Sequence, residues 1–244
     1  MAKTAGERDG PDDGALLAVF GAIASRDAPE IARRLDASPD LASRPIEVGA
    51  TRQDPETYFL AAIRHYVYAG DTALHVAAAA HQRQVARSLV MRGAGVRARN
   101  RRGAEPLHYA ADGSPGAEFS DPVAQRDVIT YLIEAGADPN ALDKSGVAPL
   151  HRAVRTRCSM AVAALVENGA DPRLTNKSGS TPLHLAVQTT GRSGSGSDAA
   201  RVEQGHIIAL LLEHGAAPTD TDANGKTVAA AASSDWIRDL LATR

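Results

Sequence analysis

The chain of 244 residues has little cysteine and few aromatic side chains. Cys158 is its one cysteine, which excludes an internal disulfide framework and a zinc site built from several cysteines. Aromatic residues make up 4% of the sequence, too few for one large core packed by big side chains. A core of alanine, valine and leucine is typical of short helices that pack closely, so the composition favours stacked small units.

Long apolar runs are absent as well. No stretch approaches the ~20 residues that a membrane-spanning helix needs, and the first ten residues lack the apolar segment of a secretion signal. We therefore expect a cytoplasmic protein with no membrane partner. The net charge of −2 does not favour a nucleic-acid partner. Nearly all 27 basic residues are arginine, which together with the abundant alanine is typical of a GC-rich bacterial genome.

A pattern ending in Leu-His recurs along the chain. Its histidines are His75, His108, His151 and His184, and a Gly-Ala pair follows each of them, at Gly93, Gly136, Gly169 and Gly215. Successive histidines are separated by 33, 43 and 33 residues. Each Gly-Ala glycine is followed ten residues later by the first glycine of the next unit, at Gly103, Gly146, Gly179 and Gly225, and a phase kept this strictly over four units indicates internal repeats.

Each unit predicts two helices. Proline at the second position of three patterns suits the first turn of a helix, and a threonine before it can cap that turn. A second helix precedes each Gly-Ala pair, with apolar residues at helical spacing. Its predicted core positions in the four units include Ala86 and Leu89, Val128 and Leu132, Val162 and Leu165, and Ile208 and Leu211. One such stripe cannot be buried within a single unit, so the units must stack.

These residues resemble the ankyrin repeat family, with Thr181-Pro182-Leu183-His184 as the most faithful copy and Asp171-Pro172 as a typical unit end. The resemblance covers Gly70 to Arg244. It implies an all-α solenoid of stacked helix-turn-helix units with β-hairpin fingers. It also implies that the protein is a non-catalytic module that binds other proteins through a concave groove.

The resemblance divides the chain into a cap, four repeats and a second cap. We expect a disordered tail at 1–14 and a degenerate helical cap with a linker at 15–69. Four repeats follow at 70–102, 103–145, 146–178 and 179–222, and a capping repeat at 223–244. Extra residues at 112–121 and 189–201 separate the two helices of the second and fourth repeats, with Asp121 and Ser197 as the predicted caps that restart the outer helices. These two edge loops either serve binding or are tolerated insertions.

Catalytic chemistry is not indicated. The resemblance implies that His75, His108, His151 and His184 are structural and tie neighbouring loops together. A Cys158–His151 pair lacks an orienting carboxylate and an oxyanion donor. No histidine or carboxylate cluster has metal-ligand spacing, so we predict no metal, no cofactor and no catalytic residue.

Arginines are concentrated in two places that the resemblance puts on the concave surface. One finger contains Arg99, Arg101 and Arg102, and the inner helix of the third repeat contains Arg152, Arg155 and Arg157. We expect these cations to crowd one groove and to bind carboxylates or phosphates of a partner with an acidic surface, or else to be solvated. Four further binding candidates are Tyr109, Lys144, Lys177 and His81.

An aromatic segment precedes the first repeat. Residues 56–68 have apolar residues that we interpret as helical in spacing, including Tyr58, Phe59, Tyr66 and Tyr68. The segment either seals the first repeat or forms one wall of a pocket over residues 56–81. Three functions follow: a monomeric protein-binding module, an enzyme or small-molecule binder using that pocket, and an anion or nucleic-acid binder using the arginines.

Overall fold

The computed structural model describes residues 13–113, 121–188, 197–232 and 234–242. Within these ranges the chain forms paired antiparallel helices stacked in one direction, with a continuous apolar core running through the stack. This arrangement is the all-α repeat solenoid that the sequence predicts.

The stack begins with α1 (Asp13–Ala24) and α2 (Ala28–Ala37). The carboxylate of Asp27 accepts a hydrogen bond from the backbone N–H of Glu30 and so starts the second helix. This helix pair is the one predicted from the sequence, except that α1 begins at Asp13 and thus includes two residues expected in the tail. Residues 1–12 lie outside the described part of the chain.

Five further helix pairs follow. They are α3 (Ala73–Ala79) with α4 (Arg83–Met91), α5 (Pro106–Ala111) with α6 (Pro122–Glu134), α7 (Pro149–Thr156) with α8 (Ser159–Glu167), α9 (Pro182–Ala186) with α10 (Asp198–Glu213), and α11 (Val228–Ala231) with α12 (Asp235–Ala242). The inner helices α3, α5, α7 and α9 contact one another in sequence, as do the outer helices α4, α6, α8 and α10. Leu89, Leu132, Leu165 and Leu211 are fully buried, so the predicted helical phase is confirmed.

The four repeated histidines join each unit to the next. Each Nδ1 accepts the backbone N–H at its own helix start, at 3.1–3.2 Å. Each Nε2 then donates to a carbonyl of the following unit at 3.0–3.2 Å. These carbonyls belong to Ala104, Val147, Ser180 and Lys226. Burial lowers the pKa of His75 and His151, and lowers that of His108 to about 4, which keeps the three rings neutral.

The fingers are the turns at residues 100–103, 143–146, 176–179 and 222–225. In each, the backbone N–H two residues before the glycine donates to a carbonyl of the preceding unit, as from Lys177 to Ser145 at 3.2 Å. Gly146 has φ of +71°, and a Cβ there would lie 2.9 Å from the Lys177 nitrogen, so this close approach requires glycine. The fingers are therefore short and built on tight turns, and Thr221 and Thr227 form an antiparallel bridge across the last of them. A longer strand pair lies before the first repeat.

That pair corrects the prediction for the aromatic segment. Residues 56–68 form no α-helix: β1 (Phe59–Leu60) pairs antiparallel with β2 (His65–Tyr66) around a left-handed Arg64. The helical interpretation was wrong because the apolar residues of this segment are dense enough to fit either period, and the segment is fixed by contacts with distant backbone. The backbone N–H of Val67 donates to the carbonyl of Tyr58, which is too far along the chain for a helical hydrogen bond.

The linker expected within residues 15–69 also contains an ordered stretch, at 46–50. Ile46 exchanges backbone hydrogen bonds with Gly70 and Asp71 at 2.7 and 2.8 Å, and Ala50 donates to Val67 at 2.8 Å. Both side chains are buried. Residues 46–50 therefore run alongside 67–71 and hold the hairpin against the first repeat.

The two insertions leave the stack between inner and outer helices, as predicted. Asp121 accepts the N–H groups of Val123 and Ala124, and Ser197 accepts that of Ala200, so the predicted caps of α6 and α10 are confirmed. The loop residues 114–120 and 189–196 lie outside the described part of the chain. At the far end Ile237 and Leu241 are buried and Trp236 is half-buried, its ring 5.4 Å below the guanidinium of Arg201 on α10.

Candidate functional site

The hairpin of β1 and β2 lies against the inner helices at the N-terminal end of the groove. The ring of His65 packs 4.5 Å from that of Tyr109 on α5, and His75 on α3 meets the same tyrosine edge-on at 5.1 Å. Burial lowers the pKa of His65, so its imidazole is neutral. The hairpin thus rests on Tyr109, which is buried and whose ring is part of the groove floor.

A buried polar network supports this contact from below. The carboxylate of Asp71 accepts hydrogen bonds from the backbone N–H of Tyr68 at 2.7 Å, the amide of Asn100 at 2.8 Å and the hydroxyl of Tyr109 at 2.9 Å. Burial and the nearby Asp71 charge raise the pKa of Tyr109 well above its usual value, so the phenol keeps its proton. The Asp71 carboxylate therefore joins the segment before the first repeat, the first finger and the inner helix α5 through hydrogen bonds.

Arg152 on α7 is held by two aspartates. Its guanidinium lies 2.7 Å from Asp112 and 3.1 Å from Asp143, and its side chain is 12% exposed. Burial opposes its charge, but the two carboxylates raise the pKa of Arg152 above its usual value. The prediction of crowded, unpaired cations is wrong at this position. The aspartates lie 40 and 9 residues away in the sequence, and nothing local in the sequence identifies them as partners.

Between hairpin, fingers and α7 there is a solvent-accessible hollow of about 360 Å³, which we call the polar cavity. Its walls include Arg64, Tyr66, Tyr68, Arg102, Ser145 and Arg155. The Arg102 guanidinium lies 4.6 Å from the centre of the Tyr68 ring. Neither Arg64 nor Arg102 has a carboxylate within ion-pair distance among the described residues. The guanidinium of Arg155 lies 3.4 Å from the Asp112 carboxylate, and the Arg155 side chain is 63% exposed.

A second hollow of about 360 Å³ lies on the other side of the two tyrosines, and we call it the side hollow. It shares Tyr66, Tyr68 and Arg102 with the polar cavity and adds Ala50 and Pro55. Arg101 is part of its wall, where its guanidinium donates to the carbonyl of Ala50 and lies 5.4 Å from the Tyr68 ring centre. The two hollows are therefore joined across Tyr66 and Tyr68.

The remaining predicted residues do not all meet here. Arg99 pairs with Glu105 at 2.9 Å, and Arg157, in a left-handed conformation at the end of α7, donates to the carbonyl of Gln188 at 3.2 Å. His81 also has positive φ and its ring faces the carbonyl of Asp112 at 3.2 Å. The exposed Lys144 and Lys177 occupy the tips of successive fingers.

The sequence analysis did not identify the aspartates of this site. Asp112 and Asp143 hold Arg152, and Asp71 anchors the floor. A signal existed for Asp143, because Asn100, Asn176 and Asp222 occupy the same finger position and accept the same turn hydrogen bonds. Asp112 begins an insertion and has no repeated equivalent.

The groove contains no recognisable catalytic arrangement in the part of the chain that the structure describes. Burial raises the pKa of the Cys158 thiol, and the His151 ring is occupied by its bonds to Ala148 and Ser180. Across the described ranges no group of three histidine, cysteine or carboxylate side chains is arranged to hold a metal ion. No described helix is long and apolar enough to cross a membrane.

Comparison with known protein families gives matches along most of the stack. The family described as "Ankyrin repeat" matches residues 69–101, 102–144 and 178–223, and that described as "Ankyrin repeats (many copies)" matches 132–186. No curated protein matches the chain. Together the family matches run from residue 69 to 223, well over half of the 244 residues. The chain therefore belongs to the ankyrin repeat family, whose repeats are generally protein–protein interaction modules.

Proposed function

We propose that this chain is a non-catalytic module that binds a cytoplasmic protein through the N-terminal end of its concave groove. The observation that carries the proposal is that Arg64 and Arg102, on the wall of the polar cavity beside two partly exposed tyrosines, have no carboxylate partner among the described residues. Arginine and tyrosine are the residues most enriched at the energetic centres of protein interfaces.

The charges of the cavity wall favour an acidic partner. Four arginines, at positions 64, 102, 152 and 155, face two aspartates, Asp112 and Asp143. Both aspartates are engaged by Arg152, so the wall has surplus positive charge where solvent reaches it. Even with the buried Asp71 included, one positive charge remains. A partner carboxylate can neutralise it without displacing an existing ion pair.

The exposed cations Lys144 and Lys177 continue the same surface along the fingers. We propose that they extend the contact towards the third and fourth repeats, and that the loops at 112–121 and 189–201 contribute from the edge. Long loops that a solenoid does not need for stability often serve binding.

A small-molecule ligand is the second candidate. A cavity of about 360 Å³ falls within the range of small-ligand sites, which is roughly 300–1,000 Å³. It is polar and joined to a second hollow, and this shape suits a segment of chain better than a compact molecule.

Partner capture with matched charge reversals tests the proposal. The full chain and its Arg102→Glu variant are used as baits in lysate of the source organism, and captured proteins are identified by mass spectrometry. The control is Arg126→Glu, which reverses an exposed arginine of outer helix α6 paired with its neighbour Asp127.

We expect a partner that the parent and the control capture and that Arg102→Glu loses. With the purified partner, the loss should lie largely in the association rate, about tenfold, and shrink as salt rises. A partner that binds all three proteins equally at every salt concentration contradicts binding at this groove.

A further inference from the structure

We infer that the groove recognises a two-residue signature: a carboxylate side chain in the polar cavity and, one or two positions away in the partner chain, an apolar side chain in the side hollow. This inference rests on the proposed function, because it specifies what the partner presents to the same groove. It is carried by the different chemistry of the two hollows and by the wall that they share.

The polar cavity is built for one oxyanion. Arg102 is positioned over the Tyr68 ring at 4.6 Å, which restrains its guanidinium before any ligand arrives. Arg64 stands at the hairpin tip, where its backbone is left-handed, and Ser145 offers a hydroxyl from the next finger. These two arginine forks, which have no carboxylate partner in the part of the chain that the structure describes, and the hydroxyl can each donate to the oxygens of a carboxylate.

The floor of the cavity does not repel such an anion. Asp112 and Asp143 are neutralised by Arg152 at 2.7 and 3.1 Å, and Asp71 lies below the surface with three donors. Tyr109 keeps its proton, so it adds no negative charge. The single positive charge that remains on the cavity wall matches a singly charged carboxylate more closely than a phosphate dianion.

The side hollow has a different character. Tyr66 lines the hollow, and Phe59 stacks on this ring from outside the lining with ring centres 4.7 Å apart; the two side chains are 40% and 38% exposed. Pro55 and Ala50 add apolar wall, Thr51 and Arg52 complete the lining, and the guanidinium of Arg101 is already bonded to the Ala50 carbonyl. Exposed aromatic rings around a concave surface gain most from covering by an apolar side chain.

The shared wall fixes the spacing of the signature. Tyr66, Tyr68 and Arg102 line both hollows, so a chain whose carboxylate enters the polar cavity passes directly over the two rings. An extended chain advances about 3.3 Å per residue with alternate side chains on opposite faces. The apolar residue must therefore be the immediate neighbour of the acidic residue or stand one position beyond it.

Peptide selection tests this signature without knowledge of the partner. A phage library of random twelve-residue peptides is selected against the full chain, against Arg102→Ala and against Tyr66→Ala, with Arg126→Ala as the control on the outer helices. Thermal melting of each variant checks that it is folded, since all three side chains are exposed.

We expect the parent and the control to select aspartate or glutamate beside, or one residue from, a large apolar residue. Arg102→Ala should lose the acidic preference and keep the apolar one, and Tyr66→Ala should do the reverse. In a synthetic copy of the selected peptide, replacing the acidic residue by its amide should weaken binding to the parent about tenfold or more, and to Arg102→Ala less than threefold.

Three other outcomes would each contradict a different part of the inference. A peptide in which phosphoserine replaces the acidic residue and binds the parent tenfold more tightly contradicts the carboxylate. Peptides that depend on Arg102 and Tyr66 but share no acidic–apolar pair contradict the signature and leave the proposed function standing. Peptides that bind all variants equally contradict both.

Discussion

The two ends of the stack use the same unit for different purposes. In the first two repeats the inner helices contact the hairpin of residues 59–66, a buried carboxylate and the walls of two hollows. In the fourth repeat the inner helix α9 has five residues, and its buried polar residues, Thr181 and His184, serve its own cap and the bond to the next unit. Regular repeats thus provide the scaffold, and the irregular segment packed on one end of it supplies the specific chemistry.

The largest expected effect is loss of the carboxylate that joins the irregular segment to the repeats. Asp71→Ala removes the acceptor of three donors, from Tyr68, Asn100 and Tyr109, in a fully buried site. We expect the free energy of unfolding to fall by about 3 to 5 kcal/mol, because each buried donor left without a partner costs about 1–3 kcal/mol.

Tyr109→Phe is the milder control, since it removes one of these bonds and leaves the ring in place; we expect a loss of about 1 kcal/mol. Denaturant unfolding measures both variants, and hydrogen exchange locates the loss. A fall of less than 1 kcal/mol for Asp71→Ala would mean that the hairpin is held by apolar packing alone.

In the regular repeats away from the hairpin, stability should depend on apolar packing. Leu165 on α8 is fully buried, and Leu165→Ala should cost roughly 2–5 kcal/mol through lost contacts and the cavity left behind. Because units of a solenoid contact their neighbours, protection from hydrogen exchange should fall first in α7 to α10. Met91→Ala, at a side chain 76% exposed, is the control. Faster exchange across α1 to α5 alone would contradict the nearest-neighbour account.

Lowering the pH should destabilise the N-terminal end of the stack more than the C-terminal end, with a smaller effect for each histidine than for the two substitutions above. Burial lowers the pKa of His65, His75, His81 and His108, all in the first two repeats or the hairpin, and the pKa of His108 falls from 6.5 to about 4. The unfolded chain binds these protons first, so stability is full above the ordinary pKa and is lost as the pH falls towards the folded value.

His108 alone should account for about 2 kcal/mol of the loss between pH 7 and pH 5, since one pKa unit corresponds to about 1.4 kcal/mol. Hydrogen exchange at the two pH values should show the larger change in α3 and α5, and His108→Gln should flatten the pH profile of its unfolding free energy. An equal change in α9 to α12 would contradict the difference between the ends.

Sequence reasoning succeeded where structure is repeated or local. The phase of the outer helices, seen at Leu132 and Leu165, follows from spacing within one helix, and the caps Asp121 and Ser197 act on backbone two or three residues away. The hairpin was missed because it is held by contacts with residues outside the segment: His65 packs on Tyr109, and Val67 accepts a backbone hydrogen bond from Ala50.

The site was predicted in part for the same reason. Arg102 and Arg155 were identified as candidates because arginines cluster in the sequence, and both line the polar cavity. The state of each guanidinium depends on partners from other units: Arg152 is neutralised by Asp112 and Asp143, whereas Arg102 has no carboxylate partner within the described ranges. Charge patterns along the chain cannot distinguish the two.

The backbone hydrogen bonds between successive fingers have the same donor and acceptor positions at every boundary between repeats. The donor is always two residues before a glycine and the acceptor one residue before the preceding glycine, as from Lys144 to Arg102 and from Lys177 to Ser145. A duplicated copy of residues 146–178, inserted after residue 178, would find both an acceptor behind it and a donor ahead of it. Recombination can therefore lengthen or shorten the molecule in steps of 33 residues, with the hollows at the N-terminal end left intact. The length of the groove can thus change independently of the site that we propose at its N-terminal end.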